Sequence, residues 1–267
     1  MIALIEPAST DRIAELQRTI SASRLGLWLT CRLKFHFRYV LKIQKPTTPA
    51  LHTGTTIHAV LQAWNLARWR KEPFDPAMCK ELFEARWSDQ PSPIDWYGEE
   101  DQQRDQAWRM LETFFAETPI QADEKPEAVE VSVETDLSRH GLPTLIGVID
   151  LVRAGGRIVD FKTSGKTPDA GLVAHQHEIQ LSCYSVLYRD ATGRREAGIE
   201  LHHLVKTKTP KLVVTPLASM TPNQQTRLFR LIESYVRGLE REDFVPSPGF
   251  HCAGCEFFRH CRSWKGG

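Results

Sequence analysis

The segment TLIGVIDLVRAGGRIVDFKTS, residues 144–164, decides the fold that the sequence predicts. Its two halves are rich in branched and aromatic residues, and the turn Gly155-Gly156 separates them, so the segment predicts a β-hairpin. Just upstream, residues 128–134 alternate valine with polar side chains, which is the period of a half-buried strand. Residues 128–163 are therefore predicted to form a three-stranded antiparallel meander.

Helical patterns lie on both sides of the meander. Downstream, a helix over 169–189, strands at 199–206 and 211–216, and a helix from Thr221 through Leu239 are predicted. Upstream, helices are predicted over 11–20, from Ser21 or Ser23 through Tyr39 with Pro46 and Pro49 ending that region, from Gly54 onward, over 76–89 and over 99–117. The order, a helical lobe followed by βββαββα and a short tail, predicts an α/β fold with a sheet flanked by helices.

Length and composition exclude several classes of protein. The chain has 267 residues, of which 41% are hydrophobic and 25% charged, as in an ordinary soluble globular domain. This length predicts one large domain. The net charge of +1 excludes a polycationic nucleic-acid coat protein but leaves a local basic groove open, since net charge averages over all faces.

The location of the protein is predicted from what the sequence lacks. It has no apolar run of about 20 residues, and its first twenty residues lack the apolar core and cleavage site of a signal peptide. A cytoplasmic protein without a membrane span is therefore expected. Its six cysteines are then not expected to form disulfides. Three of them crowd the last sixteen residues, which points to a site.

Two acidic residues and a lysine mark the predicted hairpin as a candidate catalytic site. Asp160 and Lys162 are two residues apart in a strand and so share a face, and the turn can bring Asp150 close to them. Mg²⁺ and Mn²⁺ prefer such oxygen ligands and can activate water for attack on a phosphate. Lys162 could orient that water or offset charge on the phosphate. The alternative is a turn aspartate beside a surface ion pair, but the apolar neighbours imply little exposed surface.

Four motifs in a fixed order resemble the PD-(D/E)XK nuclease superfamily, and more narrowly its RecB-like branch. They are Gly54-x-x-x-His58, Gly147-x-x-Asp150, Asp160-Phe-Lys-Thr-Ser164 and Gln180-x-x-x-Tyr184. The resemblance implies a restriction-endonuclease-like core. It also implies one nuclease domain over residues 1–267, with a helical insertion at 50–125, a catalytic core at 126–216 and a cluster-binding tail at 246–267.

The resemblance also implies a role for each motif residue. Four groups would hold Mg²⁺ or Mn²⁺: His58, Asp150, Asp160 and the carbonyl of Phe161. Lys162 would be the catalytic lysine, and Gln180 and Tyr184 would line the DNA path or brace the site. Glu130 and Glu134 are predicted to be strand-face residues, with Glu134 the nearer neighbour of the site.

The late cysteines form the pattern Cys252-x-x-Cys255-x5-Cys261, for which zinc is the general expectation, with His251 or His260 as the fourth ligand. However, the early pattern Ser21-x-Ser-x-Leu, followed by Cys31-x-x-Lys-Phe-x-Phe, resembles AddB-type nuclease domains and CRISPR-adaptation nucleases. That resemblance implies a [4Fe–4S] cluster held by Cys31, Cys252, Cys255 and Cys261. A zinc knuckle in the tail, with Cys31 unrelated to it, is the alternative.

Basic residues interleave with aromatic residues at 32–42, 64–71 and 257–265, a pattern that suits single-stranded nucleic acid but also fits helix packing. The resemblance favours DNA. The sequence thus predicts a Mg/Mn-dependent deoxyribonuclease acting at ends or in single strands, with exonuclease favoured over endonuclease. It would act in recombination, repair or CRISPR adaptation, and a helicase or integrase is the expected partner. The chain has no Walker A motif, so no helicase motor is expected in it. The alternative is a non-catalytic DNA-end binding module within a larger assembly.

Overall fold

A computed structural model describes residues 10–90 and 92–266 of the chain. Residues 1–9, Pro91 and Gly267 lie outside the described residues. The prediction that the first twenty residues carry no signal peptide, and the outer limits of the predicted domain, fall partly on these positions. No helix in the described ranges is both long and apolar enough to cross a membrane.

The amino-terminal region forms short helices around a small strand. Its elements are α1 (Thr10–Arg18), β1 (Thr19–Ile20), α2 (Ala22–Thr30), α3 (Arg32–Phe35) and a π-helical turn (His36–Val40). The hydroxyl of Ser21 accepts a hydrogen bond from Arg24 N and so begins α2. The predicted continuous helix through Tyr39 is wrong, because Cys31 is extended and the N–H of Leu33 donates to the carbonyl of Val245 in the carboxyl-terminal region.

Three longer helices follow: α4 (Pro49–Arg70), α5 (Pro76–Ser88) and α6 (Glu100–Glu117). The last two confirm the helices predicted over 76–89 and 99–117, and the carboxylate of Asp75 caps α5 as its sequence predicts. The predicted helix start at Gly54 is wrong, because α4 begins at Pro49. Thr48 caps this helix and Pro49 occupies its first turn, where a missing N–H costs nothing.

The meander forms as predicted, from β2 (Ala128–Thr135), β3 (Thr144–Arg153) and β4 (Arg157–Ser164), with β3 antiparallel to both β2 and β4. On its other edge, β3 also pairs in parallel with the short β1. Then α7 (Val173–Gln176) and α8 (Glu178–Thr192) divide the single predicted helix at His177. They carry the chain to β5 (Ile199–Val205), which is parallel to β4, and β6 (Lys211–Leu217) is antiparallel to β5. The predicted mixed sheet flanked by helices is confirmed.

The carboxyl-terminal region contains α9 (Pro222–Glu240), a 3₁₀ turn (Phe250–Cys252) and α10 (Phe258–Ser263). Thr221 and Gln224 form a capping box at the start of α9, which agrees with the predicted cap. On one face of the sheet α1, α2, α8 and α9 bury a core around Trp28 and Tyr235. On the other face α4, α5 and α6 bury a second core around Phe83 and Phe114.

Candidate active site

The strands β3 and β4 separate at the two predicted aspartates. Their ladder pairs Leu151 with Val159 and does not continue to Asp150 and Asp160. Instead, the side chain of Asp150 accepts a hydrogen bond of 2.9 Å from the backbone N–H of Phe161. The sheet therefore opens at this point into a cleft that holds both carboxylates, and Asp160 is almost fully buried in it.

Glu130 contributes a third carboxylate to the cleft. The flanking pairs Val129–Leu151 and Val131–Ile149 place Glu130 opposite Asp150 on the neighbouring strand. Its φ of 45° lies in the left-handed region, which is unfavourable for a glutamate. Val129 packs with the core of α4 to α6, whereas Val131 packs with the core of α8, so β2 changes face at Glu130. Backbone strain of this kind is found at functional sites.

A compact group of metal-ligand atoms forms where α4 meets these strands. His58, Glu130 and Asp150 each offer one ligand atom, and these atoms all lie within 4.8 Å of one another. Nδ1 of His58, which comes from α4, is 3.7 Å from Oδ2 of Asp150. Two carboxylates and an imidazole suit Mn²⁺ well and Mg²⁺ in part, because Mg²⁺ favours oxygen ligands.

The electrostatics of the cleft favour a bound cation. Burial raises the pKa of Asp150 above its usual range, and the charge of Asp160 raises it further. Burial and the charge of Asp150 raise the pKa of Glu130 to about 7. The carboxylates therefore repel one another in a poorly solvated site, and a divalent cation would relieve that repulsion.

Asp160 lies in a second network beside this group. Nζ of Lys162 donates to Oδ1 of Asp160 at 3.0 Å and to Oε1 of Gln180 at 2.9 Å. Nε2 of Gln180 contacts Oδ1 of Asp160 at 3.0 Å and the hydroxyl of Tyr184 at 2.8 Å. Oδ2 of Asp160 is 2.7 Å from Lys162 Nζ but has no well-aligned hydrogen bond, which leaves it available to a cation.

The glycine of the second motif, Gly147, allows α8 to approach the sheet. A Cβ atom added at Gly147 would lie 2.7 Å from Cδ1 of Leu187, a side chain of α8 that is fully buried and has little room to move. A larger residue at this position would push α8 away from β3. Gln180 and Tyr184 lie one turn apart on the same helix, so their contacts with the cleft depend on this close approach.

The structure thus gathers most of the predicted site residues and corrects one expectation. His58 and Asp150 lie together, whereas Asp160 is held by Lys162 and Gln180 beside their group. Phe161 contributes its N–H, and the role of its carbonyl stays a prediction. The expectation that Glu134 is the nearer acid is wrong: Glu130 is. Four residues of strand place Glu134 about 13 Å further along β2. The alternating valine pattern predicts a regular strand, so it does not indicate the left-handed backbone at Glu130.

A shallow groove of about 520 Å³ extends from the cleft. On the edge of β3 away from β2, β1 pairs with Thr144 and Leu145, and β4 begins to pair only at Leu151. Among residues 10–90 and 92–266, no strand therefore pairs with the segment 146–150 on that edge. Three residues of this segment line the groove. Its walls come from the start of α2, from β2 and β3, and from α8: Ser21, Ala22, Ser23, Ser132, Val133, Glu134, Ile146, Gly147, Val148, Gln180 and Tyr184.

Three of the four predicted cluster cysteines lie in one region, although they come from distant parts of the chain. Cys31, Cys255 and Cys261 belong to one small apolar cluster with Leu33, Phe37 and Phe257. Burial raises the pKa of Cys261, and the neighbouring Cys31, Cys255 and Cys252 raise it further. All six cysteines are free thiols. Among the described residues, the four cysteines do not form a group whose ligand atoms all lie within 4.8 Å of one another, so a metal centre held by them stays a prediction.

Ion pairs attach the carboxyl-terminal tail to the segment that follows Cys31. Glu256 pairs with Lys34 at 2.8 Å and with Arg38 at 2.5 Å. Nδ1 of His260, one of the alternative zinc ligands, is 3.4 Å from Nζ of Lys45. These contacts hold the tail against α3 and the π-helical turn.

Comparison with known proteins identifies the family. A search among curated proteins finds no match. Among solved structures, a candidate exonuclease from Eubacterium rectale has a TM-score of 0.64 at 13% identity, and the match covers 98% of this chain and 96% of that one. The structure of SSO0001 matches with a TM-score of only 0.38 at 13% identity, covering 90% of this chain and 95% of that one.

The first of these likenesses supports the fold, and a family model supports more than the fold. The model of the PD-(D/E)XK nuclease superfamily matches residues 19–262, which include every motif described above. By this match, and with the motif residues gathered at one cleft, the chain belongs to the PD-(D/E)XK nuclease superfamily.

Proposed function

We propose that this protein is a Mg²⁺- or Mn²⁺-dependent nuclease that hydrolyses phosphodiester bonds of DNA at ends or in single strands. The observation that carries the proposal is the group His58, Glu130 and Asp150, with ligand atoms within 4.8 Å of one another, next to the Asp160–Lys162 pair. Membership of a nuclease superfamily agrees with it.

The residues of the cleft would have three roles: metal binding, stabilisation of the reacting phosphate, and positioning. His58, Glu130 and Asp150 would hold the cation, with Oδ2 of Asp160 close enough in the same cleft to join them. When bound, the cation supplies polarisation of the phosphate and activation of a water molecule. Lys162 is placed to orient the attacking water and to offset the negative charge that develops on the phosphate. Gln180 and Tyr184 keep Asp160 and Lys162 in position through their hydrogen bonds.

We also infer that the four cysteines bind a [4Fe–4S] cluster. Support comes from the apolar cluster that Cys31, Cys255 and Cys261 share and from the raised pKa of Cys261, to which burial and the neighbouring Cys31, Cys255 and Cys252 contribute. Four thiolates are the usual ligand set of such a cluster, whereas a four-cysteine zinc site is the alternative. A helicase or integrase partner, a cytoplasmic location, the process served and the internal limits at 50–125, 126–216 and 246–267 stay predictions of the sequence.

The direct test is a cleavage assay with the purified full chain. Linear single-stranded, linear double-stranded and circular single-stranded DNA are each incubated with Mn²⁺, with Mg²⁺ or with EDTA. We expect cleavage of linear single strands that requires the cation. Tight binding of DNA ends without any cleavage under these conditions would instead indicate a non-catalytic end-binding module.

Replacement of Lys162 by glutamine is expected to lower the cleavage rate about a hundredfold, because the positive charge near the phosphate is lost. Glutamine can still donate to Asp160, so the fold should persist. Binding of Mn²⁺, measured by calorimetry, should change little, since an ammonium group is not a metal ligand. A variant that loses Mn²⁺ binding yet cleaves normally at saturating Mn²⁺ would contradict this role.

The raised pKa of Glu130 predicts how cation binding depends on pH. Below about 7 this carboxyl is protonated in the metal-free protein, so the cation must displace a proton. The affinity for Mn²⁺ should therefore rise with pH, by up to about tenfold per unit for one proton, and level off above about 7. Calorimetry at several pH values measures this slope, and Glu130→Gln should reduce it.

The raised pKa of Glu130 also predicts how the stability of the metal-free fold depends on pH. The folded, metal-free chain keeps the proton of Glu130 to a higher pH than the unfolded chain does. Its stabilising contribution is therefore complete below the ordinary glutamate pKa and is lost as pH rises through about 7. Without metal, Glu130→Gln should raise the melting temperature at pH 8 but not at pH 4. A gain of equal size at both pH values would show that the effect is not electrostatic.

A further inference from the structure

The groove beside the cleft suggests how the protein selects a DNA end, an inference that rests on the proposed nuclease function. It begins next to the metal-ligand group, because Ser132 and Val148 lie two residues from Glu130 and Asp150 on the same strands. Gln180 and Tyr184 line the groove and also hold Asp160. A strand whose phosphate lies at the cleft would therefore extend into the groove.

The size of the groove limits what it can hold. Its volume of about 520 Å³ falls in the range of sites that enclose one small ligand, about 300–1,000 Å³. The distance of about 13 Å from Glu130 to Glu134 along β2 equals the rise of at most about four stacked nucleotides. At its far end, β1 pairs with β3 and the chain turns into α2 at Ser21. The space suits the end of a strand.

The lining of the groove is neutral except for one acid. The hydroxyls of Ser21 and Ser23 lie 3.2 Å apart at the start of α2, and Val148 presents an apolar surface that is 42% exposed. These groups suit a sugar and a base. The one acidic side chain among the lining residues is Glu134, which is exposed and makes no ion pair within the described residues. No lysine or arginine lines the described groove to balance its charge.

We propose that this groove seats the terminal nucleotide of a DNA strand and that Glu134 makes it prefer a terminal hydroxyl over a terminal phosphate. A terminal phosphate monoester carries about −1.5 to −2 charges at neutral pH, so the carboxylate of Glu134 repels it. A terminal hydroxyl can instead donate a hydrogen bond to that carboxylate. Because Glu134 is exposed, the repulsion is partly screened, and a preference of about fivefold at low salt is expected.

The test compares DNA strands that differ only at their ends. Single strands with an internal fluorophore carry a hydroxyl or a phosphate at the 5′ end, or a hydroxyl or a phosphate at the 3′ end. The full chain with Mn²⁺ should cleave the hydroxyl form of one of these pairs about fivefold faster at low salt. Glu134→Gln should remove the preference, and Glu134→Lys should reverse it. Raising the salt should weaken the preference in the wild-type protein.

A matched control separates this effect from a change in net charge. Glu81 is an exposed glutamate on α5, which does not line the groove, so Glu81→Gln removes the same charge elsewhere and should keep the preference. Equal cleavage of both ends by the wild-type protein, or a preference that survives Glu134→Gln, would overturn the proposal. So would cleavage of circular strands as fast as linear ones, because a circle has no end to seat.

Binding measurements make the result independent of catalysis. Fluorescence anisotropy of the same strands with the metal-free protein reports the end preference even where no cleavage occurs. If cleavage is absent but hydroxyl ends bind more tightly in a Glu134-dependent manner, the nuclease proposal fails while the end-selecting groove stands. If cleavage occurs and neither assay shows a Glu134-dependent preference, the nuclease proposal stands and the groove proposal fails.

Discussion

Replacing Asp160 by asparagine is expected to reduce Mn²⁺-dependent cleavage about a thousandfold or more while leaving the chain folded. The substitution removes the negative charge that holds Lys162 and the oxygen that faces a cation in the cleft. Loss of one preorganised electrostatic group commonly lowers the rate by a factor of about 10²–10³. Asp160 both holds Lys162 and faces the cation, so its loss affects two groups at once. Cleavage of an end-labelled single strand under single-turnover conditions measures the effect.

The same substitution should raise the melting temperature of the metal-free protein or leave it unchanged. Asp160 is almost fully buried, and its charge raises the pKa of the neighbouring Asp150. An amide of the same size removes this repulsion, so the metal-free melting temperature should not fall, as is common at active sites. Asp105→Asn, which alters an exposed aspartate on α6, is the control and should keep the wild-type rate. A variant of Asp160 with normal turnover would remove this residue from the site.

Replacing Cys31 by serine is expected to destabilise the whole domain rather than only its tail. A centre that links Cys31 to Cys252 closes a loop of more than 200 residues, which in the chain-entropy model corresponds to roughly 5 kcal/mol. For a chain of this size, that loss lowers the melting temperature by roughly 10–20 °C. Cleavage should also fall, because the helix with His58 begins soon after Cys31. Thermal melting and the contents of iron, sulfide and zinc measure the outcome.

Cys79 provides the control for loss of a buried thiol. It is 4% exposed in the core of α4 to α6, and burial raises its pKa to about 11, so it is packed and unreactive. Cys79→Ala should retain the wild-type metal content. Protein with stoichiometric zinc and no iron would reject the iron–sulfur cluster but keep the link between the chain ends. Unchanged melting and metal content in Cys31→Ser would reject both.

The parts of the fold that depend on local signals were predictable from the sequence. The caps at Asp75 and Thr221 and the valine alternation of β2 identify elements whose bounds agree closely with the structure. The spacing also predicted that Asp160 and Lys162 share a strand face and that Gln180 and Tyr184 share a helix face, since residues two apart in a strand and four apart in a helix share a face. That the two pairs belong to one site was implied by the family resemblance. These relations hold for any chain that forms the elements.

The features that escaped prediction depend on contacts between distant parts of the chain. Cys31 interrupts a helix because Leu33 pairs with Val245, and no local signal marks that break. Likewise, Glu130 adopts a left-handed backbone that its own preference disfavours, and the surrounding strands hold it there. As a result, the place of Glu130 in the metal-ligand group was not predicted, although the cleft itself was expected.

The attachment of the tail to α3 has a consequence for how the protein is made. Leu33 and Phe37 are fully buried, but one wall of their cluster is supplied by Phe257, more than 200 residues later. At about 5–20 residues per second, a ribosome needs roughly 10–45 s to synthesise the chain from Phe37 to Phe257. During synthesis Leu33 and Phe37 therefore stay partly uncovered, so incomplete chains are expected to depend on chaperones that shield these side chains until Phe257 emerges.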